Sequence, residues 1–571
     1  MNNKRLGIFV FYDKEGIVRE YLRYLLNDIT QCFTNFIIVV NGKVNNDGME
    51  YFKKLTQTVY VRENIGLDAG GFQFGINMVG EKELRTVEEL VLFNDTFYGP
   101  FYHFEDMFNN ERIKDKDFWG ITANYESTDG KKIFKTHIQT YFMCFKNSIL
   151  IDNAFYDYWR NLNTKTNNYF DIVYKHEIVL TDYFENLGFS WGTIVDTKKY
   201  SDSDIRLNYN PYAYSAQDLL KDNCPILKRK IFSLKKSESM EVCDSTQLIQ
   251  SINYIKKNYD YNIDMIMDDI IRNNNAIDVH NNLCLDFIIK TESCNSRKVK
   301  KLIVFYCNDI RSLELFNEYT TGLKCDVFLI TKNEDVCKCA EELNLKDIFI
   351  IESTHNNIIL ELIKLEDKLK KYDYLCYVDD TIITTKGSRY SYRNSVLNTR
   401  FSNLFQCEGY VDNIIELLQK EYKLKLVTTI DQFDYISTES ERFAKLILQN
   451  EIKACMHKIG FSVEDDADYA TIPIQFGFWI DMKCFLELKN AYNQLSKLSD
   501  FEAKISLPII LCKECNVSWG TITNEDNVSS YINNTSYIIK SNSFAYGDIR
   551  MTIYMTLKRV KNQILKITGR L

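Results

Sequence analysis

The feature that most limits the fold is a programme of short apolar runs that occurs twice. Leu6-Gly7-Ile8-Phe9-Val10-Phe11-Tyr12 is echoed by Leu302-Ile303-Val304-Phe305-Tyr306. Leu90-Val91-Leu92-Phe93-Asn94-Asp95-Thr96 is echoed by Leu375-Cys376-Tyr377-Val378-Asp379-Asp380-Thr381. Ser190-Trp191-Gly192-Thr193-Ile194 returns unchanged in type as Ser518-Trp519-Gly520-Thr521-Ile522. Three echoes in one order point to duplication of a whole domain. Within the first copy, apolar runs at 6–12, 36–40, 58–61 and 90–93 alternate with helical spacing such as that of 17–26. Buried strands separated by helices make βαβ units and a largely parallel sheet. Ligands of such sheets bind beyond the carboxyl ends of the strands. Asp13, the 62–71 loop and Asn94-Asp95 all fall at such ends.

The expected class is α/β, with two tandem Rossmann-like domains built on mostly parallel sheets. The boundaries read as 1–235 for the first domain, 236–297 for a helical connector, 298–549 for the second domain and 550–571 for a terminal helix. The connector has amphipathic spacing at Leu248, Ile252, Ile255, Met265, Ile266, Ile270 and Ile271. In 550–571, Ile553, Leu557, Val560, Ile564 and Ile567 share one helical face, and the segment has six basic and no acidic residues. Such a helix either lies on an anionic membrane surface or docks on its own domain. Lys228-Arg229-Lys230 and Lys235-Lys236 offer a second basic cluster for the same surface.

Composition narrows the function classes. A net charge of −8 over 571 residues argues against a nucleic-acid partner. Aromatic residues reach 14 %, mostly Tyr and Phe, which suits sugar or base stacking but equally fills cores. The 16 cysteines show no disulfide framework, so a reduced, cytoplasmic protein is expected. The pairs Cys512/Cys515 and Cys337/Cys339 lack the partners of a zinc site. The first apolar run is too short for a signal segment, and no stretch approaches a membrane span. Any membrane contact is therefore expected to be peripheral, on the inner face of the plasma membrane.

The residues best suited to chemistry are in the 62–72 loop and at Asp95. Gly66, Gly70 and Gly71 allow close backbone approach to a ligand, and Glu63, Asn64 and Asp68 can hydrogen-bond a base or ribose. A carboxylate at a strand end, Asp95, can hold Mg²⁺ or Mn²⁺ against a diphosphate, since such ions take one or two carboxylates plus phosphate oxygens. The competing reading of the loop is a tight turn between strand and helix.

These stretches carry a resemblance. Residues 5–235 resemble the rhamnan synthesis protein F family through Phe11-Tyr12-Asp13-Lys14, Arg62-Glu63-Asn64-Ile65-Gly66-Leu67-Asp68, Asn94-Asp95-Thr96-Phe97-Tyr98-Gly99-Pro100, Asp117-Phe118-Trp119-Gly120 and His137-Ile138-Gln139-Thr140-Tyr141-Phe142. The stretch is also similar to the GT-A glycosyltransferase pattern, although Asn94-Asp95 replaces a full Asp-x-Asp and leaves metal dependence open. The resemblance implies a transferase that moves rhamnose from dTDP-rhamnose to a lipid-linked glycan in surface-polysaccharide assembly. It implies donor binding by Tyr12, Asp13, Glu63, Asn64, Gly66, Asp68, Asn94, Asp95, His137 and Gln139. It places a catalytic base at a helix start, for which Glu177 is the first candidate and Asp182 the second; a solvated helix face is the alternative for both. The second half matches the family more weakly, through 372–378, Arg393-Asn394 and 477–480. Its acidic pair, Asp379-Asp380, makes it either a second catalytic domain or a degenerate partner that grips acceptor. Another donor sugar, or a non-catalytic glycan-binding scaffold, are the competing functions.

Overall fold

A computed structural model describes residues 4–128, 133–200, 211–233, 247–292, 298–343, 345, 347–350, 357–382, 390–430, 450–461 and 476–533. The sequence features at 235–236 and 550–571 lie outside these residues. The chain divides into two compact α/β units, Met1–Asn274 and Asn275–Leu571.

The first unit is built on a seven-stranded sheet. Its strands are β1 (Arg5–Phe11), β2 (Asn35–Asn41), β3 (Val59–Arg62), β4 (Glu89–Asn94), β5 (Phe118–Gly120), β6 (Phe142–Lys146) and β7 (Trp191–Thr193), in the order β3-β2-β1-β4-β6-β5-β7. All neighbours are parallel except β6, which runs antiparallel to both β4 and β5. All seven residues of β1 are buried. Strand side chains alternate between faces, so such a run must feed two cores. Leu6, Ile8 and Val10 join one cluster with Phe72 and Trp159, while Phe9 and Phe11 pack on Phe52 from the other side.

The second unit repeats this plan. Its strands are β8 (Asp286–Ile289), β9 (Lys301–Tyr306), β10 (Asp326–Thr331), β11 (Asp347–Ile350), β12 (Tyr374–Asp379), β13 (Leu424–Thr429), β14 (Gly477–Asp481) and β15 (Ser518–Asn524). Their order is β11-β10-β9-β12-β14-β13-β15-β8. Here β14 is the antiparallel strand, flanked by β12 and β13. Removing β8 leaves the order and direction of the first sheet. The repeated Trp-Gly-Thr falls on β7 in one unit and on β15 in the other.

The connector segment contributes to both units. Helix Asp264–Asn273 belongs to the first, where Asp269 is 1 % exposed. Helix Ala276–Leu283 belongs to the second, where His280 stacks on Trp519 at 4.0 Å between ring centroids. Strand β8 then extends the second sheet beside β15. Among the described residues no helix is long and apolar enough to cross a membrane.

Candidate functional site

The carboxyl ends of β1, β2, β3 and β4 gather the residues expected to bind a donor. Local sequence explains how each gets there. At the end of β2, Asn41 donates to the Leu67 carbonyl at 2.9 Å, and at the end of β3 the Arg62 guanidinium bonds Asn41 Oδ1 at 2.6 Å and the Ile65 carbonyl at 2.7 Å. These bonds shape the loop that delivers helix Leu67–Val79 to the strand edge. Gly66 sits at φ +79°, and a Cβ there would meet the Thr164 carbonyl oxygen at 2.4 Å. Gly70 and Gly71 have a different purpose from the ligand approach expected of them. A Cβ on Gly70 would lie 2.3 Å from the Ile65 oxygen, and one on Gly71 would lie 2.7 Å from a Val10 methyl. They let the helix close on its own loop and on β1.

Asp68, in the first turn of that helix, accepts from Asn94 Nδ2 at 2.7 Å, which joins the loop to the end of β4. Asn94 Oδ1 in turn accepts from the Thr96 amide and hydroxyl. Burial raises the Asp68 carboxyl above its ordinary range; the Asn94 hydrogen bond and Lys228 oppose the shift, and Glu177 adds to it. Asp95 is 4 % exposed, and burial pushes its carboxyl up to about 7 against the opposing pull of Arg229.

Glu177 closes the far side. It ends the π-turn Val173–Glu177 and directly precedes helix Ile178–Asn186. Single π-turns recur at functional sites because they re-aim a side chain. The Thr140 hydroxyl donates to Glu177 Oε2 at 2.9 Å, and His137 Nε2 stands 3.9 Å from Oε1. The carboxylate is partly exposed, at 23 %. His137 Nδ1 lies 2.7 Å from the Lys135 carbonyl, a contact that fits a proton on Nδ1 and leaves Nε2 towards Glu177.

Other expected residues are held elsewhere. Asp13 Oδ1 accepts from the amides of Glu15 and Ile17, and its second oxygen faces Arg19 at 3.4 Å, so its carboxylate organises its own turn. Gln139 is 3 % exposed and accepts from the Thr122 hydroxyl within the core. Asp182 pairs with Lys135 at 2.6 Å on the surface, not with Glu177's neighbours. Tyr12 is 46 % exposed and Glu63 is exposed at the rim, while Asn64 Oδ1 is buried with no hydrogen-bond partner among the described residues.

Three site residues escaped the sequence reading. Lys228 and Arg229 had been assigned to a membrane-facing cluster. The antiparallel pairing Leu227↔Tyr98 and Lys228↔Phe97 instead brings them alongside the segment after Asp95. The Lys228 nitrogen sits 4.3 Å from the Tyr141 ring centroid. Arg229 reaches the Asp95 carbonyl at 3.2 Å and Asp269 at 3.0 Å, with the Asp95 carboxylate 3.8 Å away. Asp269 also faces Arg19 at 3.3 Å and accepts from Tyr98 at 2.7 Å. A carboxylate on the apolar stripe of Ile266 and Ile270 was the available signal for Asp269.

For a divalent ion at a diphosphate, one or two carboxylates suffice, and the fit turns on what stands beside Asp95. Asp95, the expected ligand, has a fixed guanidinium 3.8 Å from its carboxylate. A metal there would face a neighbouring positive charge.

In the equivalent corner of the second unit the two acids are engaged by neighbours. Asp379 is fully buried, accepts from Tyr377 at 3.0 Å and pairs with Lys504 at 2.7 Å. Asp380 Oδ2 accepts from the amides of Asn308 and Asp309, both at 3.0 Å. Both acids expected as second-site candidates are therefore consumed internally.

Among known proteins, "Uncharacterized protein y4gN" of Sinorhizobium fredii is 27 % identical over 203 residues, 35 % of this chain. The chain spans about half of that relative's length, 49 %. Two solved structures superpose with a TM-score of 0.23, too low to carry an inference. They are a putative glucose-1-phosphate thymidylyltransferase from Bacillus anthracis (9 % identity, 33 % of this chain and 86 % of that one) and a 4-diphosphocytidyl-2C-methyl-D-erythritol synthase from Anaerococcus prevotii (12 %, 39 % and 98 %). The family model of rhamnan synthesis protein F matches residues 36–499, more than three quarters of the sequence and parts of both units, and the chain belongs to that family.

Proposed function

We infer that the first unit is a nucleotide-sugar-dependent glycosyltransferase of the GT-A kind acting in surface-polysaccharide assembly. Membership of the rhamnan synthesis protein F family supports a role in polysaccharide synthesis; rhamnose from dTDP-rhamnose as donor and a lipid-linked glycan as acceptor are part of the proposal. The observation that carries the reading is the carboxyl edge of a parallel sheet where Asp68 holds Asn94 at 2.7 Å, Lys228 lies 4.3 Å from the Tyr141 ring centroid and Glu177 accepts from Thr140 at 2.9 Å. Ligands of doubly wound sheets bind at this edge.

In this reading the nucleoside lies along Tyr12, Glu63 and Asn64, and the diphosphate lies towards β4. Glu177 takes the proton of the acceptor hydroxyl as its oxygen attacks the anomeric carbon. The bond from that carbon to the diphosphate oxygen breaks, and the nucleoside diphosphate leaves with the electron pair. Thr140 holds one Glu177 oxygen, and the other, with His137 Nε2 3.9 Å away, works as base. The second unit, with Asp379 locked to Lys504, acts as a non-catalytic partner that contacts acceptor.

The test is release of nucleoside diphosphate from dTDP-rhamnose with a lipid-linked glycan fraction. Glu177→Gln should lower turnover by about 10²–10⁴-fold with an unchanged melting curve. If Glu177→Gln transfers normally, Glu177 is not the base; if the wild type binds glycan and turns over no nucleotide sugar in a donor panel, the chain is a binding scaffold.

A further inference from the structure

Breaking a sugar–diphosphate bond builds negative charge on the leaving group, and a positive charge must be in place to receive it. Divalent metals and fixed basic side chains both do this. The metal position expected at Asp95 is guarded by Arg229, whose own charge is shared among Asp95, Asp269 and the Tyr21 ring. That leaves the site in need of another cation.

We propose that Lys228, assisted by Lys230, is the cation that grips the donor's diphosphate, in place of a divalent metal; this rests on the transferase reading above. The ribbon pairing sets Lys228 opposite Phe97, two residues beyond Asp95. Arg229 N bonds the Thr96 carbonyl at 2.9 Å, which fixes the segment's register on the end of β4. The Lys228 side chain crosses the face of Tyr141, whose carbonyl accepts from Asn94 N at 3.1 Å. Both Asp68 and Glu177 are near enough to act on its charge.

This ammonium is half-buried, yet among the described residues it has neither an ion-pair nor a hydrogen-bond partner. Burial lowers its affinity for a proton, and the nearby Lys230 lowers it further, while Glu177 and Asp68 pull the other way. Lys230 reaches over the exposed ring of Tyr169 at 5.1 Å, on the same rim. The exposed Lys230 repels the half-buried Lys228 ammonium, which has no bonded acid to offset that repulsion or its own desolvation. A diphosphate bound between them would remove that repulsion and supply the missing hydrogen-bond acceptors. A lysine that only balanced Asp68 and Glu177 would sit in contact with one of them.

The experiment is calorimetric titration of the full chain with dTDP, UDP, GDP and CDP, in EDTA and in Mg²⁺ or Mn²⁺, with thymidine as a phosphate-free control. At least one diphosphate should bind in EDTA, and added metal should change its affinity by less than about threefold. Lys228→Met should weaken that diphosphate by about 10- to 100-fold, and Lys228→Arg should recover most of the loss. Thymidine binding and the melting temperature should not move, which separates a phosphate grip from a structural role. Binding that appears only with metal overturns the proposal. So does a Lys228→Met variant that keeps full diphosphate affinity, or one that loses diphosphate and thymidine alike. If no diphosphate binds under any condition, the transferase reading itself falls.

Discussion

A carboxyl held at about 7 makes Asp95 a sensor of ordinary pH. Its folded form keeps a proton that the unfolded chain releases near pH 4. Between those values the folded state binds more protons, so stability falls as pH rises through this window. The slope from this one group is at most about 1.4 kcal/mol per pH unit. Thermal melts of the wild type should thus decline from pH 5 to 7.5 more steeply than those of Asp95→Asn; parallel profiles would remove Asp95 as the cause. Asp269 has a different role. It is the shared anion of Arg19 and Arg229, and both arginines are mostly buried. Removing one member of such a set costs about 3–5 kcal/mol, because the remaining charges stay out of water. Asp269→Ala should lower the urea-unfolding free energy of the first unit by that amount, and a loss below about 1 kcal/mol would show that the arginines find other partners.

Among the elements, the helix Leu67–Val79 is the one that most tightly couples sequence to site. Gly70→Ala places a Cβ against a backbone oxygen, where no side-chain rotation gives relief. The variant should lose about 1–3 kcal/mol in chemical unfolding and should weaken nucleotide binding as the helix start retreats. Normal affinity with normal stability would mean that the loop tolerates the shift. The strands were legible as runs of apolar residues because a sheet covered on both faces leaves no polar alternation to confuse the reading. Glu177 was assigned to a helix start by the family resemblance, and it directly precedes helix Ile178–Asn186. The basic ribbon at 227–228 was not legible, because a two-residue strand has no period, and its partner at 97–98 is fixed by tertiary packing. The same limit applies to Asp13, Gln139 and Asp182. Their residue types suit catalysis, but the choice between ligand, turn and surface pair depends on neighbours distant in sequence.

Over the whole molecule, two sheets of the same topology have diverged at one position. Asn94 and Asp379 each end the equivalent strand, and each accepts from the amide two residues on, Thr96 or Thr381. In the first unit that side chain reaches out to Asp68; in the second it is bound to buried Lys504. On the acidic pair alone the second unit looks the better equipped, and the sequence leaves open a second catalytic domain or a degenerate partner. With Asp379 bound to Lys504, titration should find one diphosphate per chain. Asp379→Asn should leave that binding intact while destabilising the second unit by about 3 kcal/mol, because Lys504 is left with Asp500 as its acid. Two equivalents of diphosphate, or loss of binding in this variant, would assign the second unit a donor site.

The division of the connector decides where the halves can be separated. Cleavage near 235 would remove Asp269 and leave Arg19 and Arg229 buried without their common acid. Cleavage near 297 would strip β8 from the flank of β15 and His280 from Trp519. A protease or a gene truncation that acts between Asn274 and Asn275 spares both sets of contacts, so fragments cut there should outlast those made at either other point.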